Sequence, residues 1–336
     1  MRKQPGEAPG WAGVPARRTE EIVERKVPVG RVDLAKYIVV SVWFGCNNAC
    51  SVCMLSDIRG TLPPIGLDRY RDVIRDVVRE ERFENLILSG AEVTTFNELD
   101  RYVRFAASFD WFRKIQVQTN GRRLADRRYL DNLVACGVNE FFVSVHGLEE
   151  VHDAITGVAG SFRETLAGLR NLEAYKGVNV ITNTVLNQTN VRELRPLMNF
   201  LAGLRTSEIH LWNLFPMGET DRRDLLVGLP EFLQILPEML EEVGPSGKPL
   251  VLKSFPECLP AGAPAVFDDW FPVTVLPNRF WQEFGRSGFG SCVHREKCGA
   301  RECWGLSNAY LRKFGDEREL LSPVGGRDAA GSRGAD

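Results

Sequence analysis

Residues 37–54 read YIVVSVWFGCNNACSVCM. Tyr37 to Trp43 is a nearly continuous β-branched and aromatic run. Such a run suits a strand buried on both faces, as in a parallel sheet covered by helices. Cys46, Cys50 and Cys53 follow at once, spaced C-x3-C-x2-C. Three thiolates this close can hold three corners of an iron–sulfur cube and leave the fourth iron without a protein ligand. An open iron can bind a substrate or cofactor, whereas a closed four-thiolate site mostly stores or passes electrons. The competing readings are a zinc site, which usually wants four ligands, and three unrelated core thiols.

Beyond residue 54 strand-like and helix-like segments alternate. Helical spacing covers Leu67 to Arg79, Asn97 to Phe109, Arg127 to Cys136, Ser161 to Tyr175 and Val191 to Leu204. Short apolar runs at Asn85 to Leu88, Lys114 to Gln118, Phe141 to Val145, Asn179 to Leu186 and Glu208 to Leu214 read as strands. Repeated strand–helix units argue for parallel strands with right-handed crossovers. About six units fit before residue 215, fewer than the eight of a complete barrel. The same alternation also suits a flat doubly wound sheet.

The bulk numbers describe an ordinary globular protein. The chain has 336 residues, 44% hydrophobic and 26% charged, with a formal net charge of −2. That charge favours neither nucleic acid nor an anionic membrane, and no apolar run is long enough to span a bilayer. Residues 1–36 read as a charged, Pro/Gly-rich leader with a possible added strand at Glu21 to Pro28, and without the apolar core of a signal peptide. A cytoplasmic location is expected. There, eight cysteines are metal ligands or free thiols rather than disulfides.

In an α/β domain ligands collect at the carboxyl ends of the strands. Polar and glycine motifs stand at those ends here. Ser89-Gly90-Ala91-Glu92 follows the second strand, Thr119-Asn120-Gly121 the third, and Ser144 and His146 end the fourth. Asn183 lies on the next strand and Asn187 at its end. A glycine lets backbone approach a ligand, and Glu92 could accept hydrogen bonds from an ammonium group.

The cysteine spacing, the strand before it and these motifs resemble the radical S-adenosylmethionine (radical SAM) superfamily. The resemblance implies a partial, open (β/α)6 barrel and an open iron that chelates the amino and carboxylate groups of S-adenosylmethionine. SGAE resembles the family's GGE motif, with Ala91 at the second glycine; Ser89, Gly90, Ala91 and Glu92 would then cradle the methionine amino group. Thr119, Asn120, Ser144 and Asn183 become candidates for the methionine carboxylate and the ribose, and His146 for ribose or substrate. Val52 stands where many members place an aromatic residue before the third cysteine. The implied chemistry is reductive cleavage of the cofactor to a 5′-deoxyadenosyl radical, which abstracts hydrogen from substrate. The cofactor carries that chemistry, and the protein orients and shields it. A reductase such as flavodoxin or ferredoxin would supply the electron.

A second cysteine set lies in the last quarter: Cys258, Cys292, Cys298 and Cys303. Residues 246–323 resemble the SPASM or twitch type of auxiliary-cluster extension, an irregular appendage rather than a seventh barrel unit, after a barrel at 37–245. LEEVHDAITGVAGSF resembles the same members. Four thiolates would hold a second, fully ligated [4Fe–4S] cluster, or a structural zinc ion. His294 could replace one ligand or be a solvated loop residue, and Cys136 reads as an inert core thiol. The tail from 324 reads as disordered. Arg122, Arg222 and Arg223 could bind an acidic substrate or be solvated surface charges. The expected substrate is a small molecule or a peptide. The alternatives are a non-catalytic iron–sulfur or zinc protein, acting as electron carrier or interaction module, and an RNA-modifying member of the superfamily, against which the charge weighs.

Overall fold

A computed structural model describes residues 11–12 (backbone only), 32–300 and 302–325. The strand expected at Glu21 to Pro28, most of the leader and the tail from 326 onward lie outside these residues. The series begins as the sequence predicts: β2 (Tyr37–Trp43), α1 (Leu67–Glu80), β3 (Asn85–Gly90), α2 (Leu99–Ala107), β4 (Lys114–Thr119), α3 (Arg127–Cys136) and β5 (Glu140–Ser144). It continues through α4 (Glu149–Thr156), α5 (Ser161–Leu172), β6 (Asn179–Leu186), α6 (Leu194–Gly203) and β7 (Glu208–Asn213). These strands pair in parallel in chain order. Val40, Val42, Leu86, Leu88, Val117 and Val143 face the helices in one core, whereas Tyr37, Val39 and Ile87 pack together on the opposite face. Both faces are covered, which is why β2 reads as a nearly unbroken apolar run. Element ends follow local chemistry. Asp126 caps α3 by accepting from Arg128 N (2.9 Å), and Gly137 stops it with φ 119°.

The sheet does not stop at β7. After α7 (Leu229–Val243) come β8 (Leu250–Lys253) and β9 (Ala265–Phe267), added in parallel beyond β7. Then β10 (Val273–Pro277) pairs in parallel with β2, at the other edge, and β1 (Trp11–Ala12) lies antiparallel outside it. The stretch expected as an irregular extension therefore carries three sheet strands, and α7–β8 forms a seventh unit. The loop 254–264, α8 (Asn278–Gly285), α9 (Asn308–Phe314) and the loops around these helices lie outside the sheet.

This topology forces curvature. Nine parallel strands run from β10 to β9, and laid flat they would span about 38 Å at ~4.8 Å per gap. Yet Asp268–Pro272 alone joins β9 to β10, and six residue steps reach at most about 20 Å. The sheet is curled into an open barrel with its two edges drawn together. No helix among the described residues is long and apolar enough to cross a membrane.

Leu88 is fully buried in β3 beneath the helices. Leu88→Ala is expected to cost about 2–5 kcal/mol, read as a lower urea midpoint with an unchanged m-value.

Candidate active site

The curled sheet encloses a cavity of about 330 Å³. Its polar wall is built at the strand ends by Ser41, Ser89, Gln118, Ser144 and Asn183, with Cys46, Cys50 and Cys53 above them in the loop after β2. All three cysteines are half-buried free thiols. Asn48 N–H donates to Cys46 Sγ at 3.3 Å, and Leu55 and Ser56 backbone N–H groups donate to Cys53. Burial pushes each thiol up, Cys50 to about 12, and the other two thiols push it further. Deprotonated together they need a strong positive charge, which metal coordination supplies. Among the described residues no three His, Cys, Asp or Glu side chains surround a single ion. In a polynuclear cluster each cysteine takes its own iron, whereas a structural zinc usually wants four ligands.

The loop is pinned from several sides. Arg122 donates to Asn47 O (2.6 Å) and Asn48 Oδ1 (2.7 Å), and Arg59 to Asn48 O (3.1 Å). Arg223, from the loop after β7, donates to Ser51 O at 2.6 Å. Two of the three arginines raised as substrate ligands thus hold the cysteine loop instead, while Arg222 is exposed. Asn120 Nδ2 adds a bond to Asn47 Oδ1 at 2.8 Å.

Glu92 is 1% exposed and lines the cavity. Its carboxylate accepts from Thr94 N (3.1 Å), Thr94 Oγ1 (2.5 Å), Thr119 Oγ1 (2.7 Å) and Asn120 N (2.6 Å). Burial raises its pKa, and those bonds oppose the rise. Among the described residues no lysine, arginine or histidine forms an ion pair with it. Four hydrogen bonds offset only part of the cost of burying a carboxylate. Thr119 spends its hydroxyl proton here, so it acts on a ligand through Glu92. Ser89 Oγ donates to Gln118 Oε1 at 2.8 Å, joining β3 to β4. Asn183 is 6% exposed and its Oδ1 has no partner, an acceptor left open toward the cavity. Asn187 is absorbed in its turn, accepting from Thr189 N and donating to Val185 O, both at 2.9 Å.

Gly90 is needed for a different reason from the one expected. Its φ is +142°, and a Cβ there would lie 1.9 Å from Trp43 O. The glycine admits the neighbouring strand, where the β2–β3 register shifts, and it also lines the cavity. Ala91 N–H then donates to Trp43 O (2.8 Å) and Glu92 N–H to Gly45 O (3.0 Å), lacing this turn to the start of the cysteine loop.

Residues 40–201 match the family model described as the Radical SAM superfamily. The chain carries a radical SAM domain. It is similar to the AdoMet-dependent heme synthase of Methanosarcina barkeri, 31% identical over 54% of this chain and 51% of that one. It is also similar to a probable GTP 3′,8-cyclase of Saccharolobus islandicus, 28% identical over 52% and 55%. The chain therefore spans about half the length of these relatives. Among solved structures, anSMEcpe with bound AdoMet superposes with a TM-score of 0.52 at 15% identity, over 64% of this chain and 63% of that one. That likeness is one of fold. A radical SAM fold implies a [4Fe–4S] cluster and S-adenosylmethionine. The thiol loop, the uncompensated Glu92 carboxylate and the open Asn183 oxygen fit that pair.

The C-terminal cysteines sit apart from the radical SAM cavity; none of the four lines it. Each thiol receives a backbone N–H: Cys258 from Ser322, Cys292 from His294 (3.4 Å), Cys298 from Val324 (3.3 Å) and Cys303 from Gly305 (3.4 Å). Burial raises the Cys258 and Cys303 thiols, Cys303 to about 11, and their backbone bonds oppose the rise. The nearby Cys292 and Cys298 push Cys258 up further. Val324, expected to open a disordered tail, is therefore part of this knot, and its carbonyl accepts from Gly299 N. His294 Nε2 lies 3.1 Å from Leu321 O, a structural bond rather than a metal-facing one. Cys136 is buried at the end of α3. Sequence reasoning missed Asn48 and His152, which also line the cavity; only the His152-Asp153 pair within LEEVHDAITG hinted at the second.

Gly90→Ala is expected to cost more than about 2 kcal/mol through backbone strain and collision, measured as a fall in thermal midpoint of the apoprotein.

Proposed function

We propose that this protein is a radical SAM enzyme acting on a small-molecule or peptide substrate. The observation that carries the reading is the buried, unpaired Glu92 carboxylate beside a loop of three thiols, at the mouth of a curled parallel sheet. When bound, a [4Fe–4S] cluster and S-adenosylmethionine supply a 5′-deoxyadenosyl radical that abstracts hydrogen from substrate. Cys46, Cys50 and Cys53 would hold three irons. Glu92, in the Ser89–Gly90–Ala91 turn, would take the methionine ammonium. Ser144 and Asn183 would contact the carboxylate or ribose, with Thr119 and Asn120 holding Glu92 in place. Val52 lines the cavity and would offer adenine an aliphatic face.

Deeper in the barrel Val39, Ile87, Phe142, Ile181, Leu276 and Phe280 line the cavity. An apolar floor suits a substrate presenting C–H groups, and dry walls keep a radical from water. We assign residues 37–245 to the radical SAM barrel and 246–323 to a region that completes the sheet and carries a second cluster on Cys258, Cys292, Cys298 and Cys303. A flavodoxin or ferredoxin would donate the electron, in the cytoplasm, where the eight free thiols stay reduced.

The test is anaerobic reconstitution, iron counting and product analysis with dithionite and S-adenosylmethionine. Wild type is expected to hold about eight irons and a Cys46/Cys50/Cys53→Ala variant about four, with 5′-deoxyadenosine formed by wild type alone. No 5′-deoxyadenosine from fully loaded wild type would overturn the enzyme reading. About four irons in wild type and none in the variant would remove the second cluster.

A further inference from the structure

Three polar atoms around the cysteine end of the cavity are buried without a partner: Asn48 Nδ2, Asn183 Oδ1 and His152 Nε2. His152 has no role in the account so far. It is 1% exposed, lies on α4 and lines the cavity. The same helix supports the cysteine loop: Ala49 N–H donates to Thr156 O (2.9 Å) and Ser51 N–H to Ile155 O (2.8 Å). His152 is one turn before those carbonyls, beneath the segment that bears Cys50.

The ring's proton is placed by its neighbours. His146 backbone N–H donates to His152 Nδ1 at 3.1 Å. Nδ1 is therefore the acceptor nitrogen and Nε2 carries hydrogen. Burial holds this imidazole neutral, down at about 4. The adjacent carboxylate cannot serve Nε2. Asp153 is taken by Ser161 Oγ and Phe162 N, both at 2.8 Å, and by Gly160 N, at the start of α5. A buried N–H donor aimed into a cavity and lacking an acceptor marks a place where a ligand supplies one.

We infer that His152 is a ligand-binding residue whose Nε2–H donates to an anionic acceptor beneath the cysteine loop: the carboxylate of S-adenosylmethionine or a sulfide of the cluster. This rests on the radical SAM reading. It adds to that reading a neutral hydrogen-bond donor for an anion on the α4 side of the cavity.

The experiment compares reconstituted wild type, His152→Phe, His152→Gln and His152→Asn. Dissociation constants are measured for S-adenosylmethionine and for 5′-methylthioadenosine, which lacks the amino-acid group. The midpoint potential of the cofactor-free cluster is measured beside them. A carboxylate partner predicts that Phe and Asn weaken S-adenosylmethionine about tenfold or more, leave 5′-methylthioadenosine unchanged, and that Gln, whose amide reaches the Nε2 position, restores binding. A sulfide partner predicts a more negative potential in Phe and Asn, restored by Gln. Iron content and far-ultraviolet dichroism identify any variant that fails to fold, and Asn and Gln decide the matter if Phe does so. Unchanged affinities and potential in the folded variants, or equal loss of both ligands with no shift in potential, would overturn the inference. Wild type that holds its cluster yet binds no S-adenosylmethionine would sink the radical SAM reading itself.

Discussion

Glu92 sets the constraint on which the cavity depends. Moving a carboxylate out of water costs several kcal/mol even after relaxation, and no basic side chain among the described residues offsets it. Four donors do so in part, and they come from different places: Thr94 from the carboxylate's own turn, Thr119 and Asn120 from the end of β4. Satisfying one buried charge thus locks two strand ends together. The same turn is laced through its backbone to Trp43 and Gly45, where the cysteine loop begins. The carboxylate, the β3–β4 pairing and the position of the thiols are parts of one arrangement.

The cysteine loop obeys a related rule. Three of its backbone carbonyls, those of Asn47, Asn48 and Ser51, take side-chain donors. Arg122, Arg59 and Arg223 supply them, from β4's end, from the loop itself and from the segment after β7. Their positive charge near the thiols also favours thiolate. Arg59 and Arg223 lower the Cys53 pKa against the larger effect of burial. A loop held this way keeps its shape before any metal arrives.

Much of the fold was legible because β2 is a long apolar run and β3 to β7 carry short or alternating apolar residues between helical segments. The last three parallel strands were not. They are 4, 3 and 5 residues long, set among prolines and glycines, and their pairing is fixed by the curl of the whole sheet. The site was legible where a motif carried it, in the three cysteines and SGAE. Tertiary reasons were not legible: Gly90 also yields to a neighbouring strand, and Arg122 and Arg223 hold the loop. Asn48 and His152 left no periodic signal, since a single polar residue looks alike whether it faces a ligand or a turn.

The most direct test of this account is the affinity of Glu92→Gln for S-adenosylmethionine, measured by anaerobic equilibrium dialysis on protein with a full iron complement. Gln keeps the shape and removes the charge. The account predicts a loss of about tenfold or more, the size of a charge-assisted hydrogen bond, with 5′-methylthioadenosine bound as in wild type. Equal affinity of both proteins for S-adenosylmethionine would contradict the claim that this buried carboxylate is the seat of the cofactor's ammonium group.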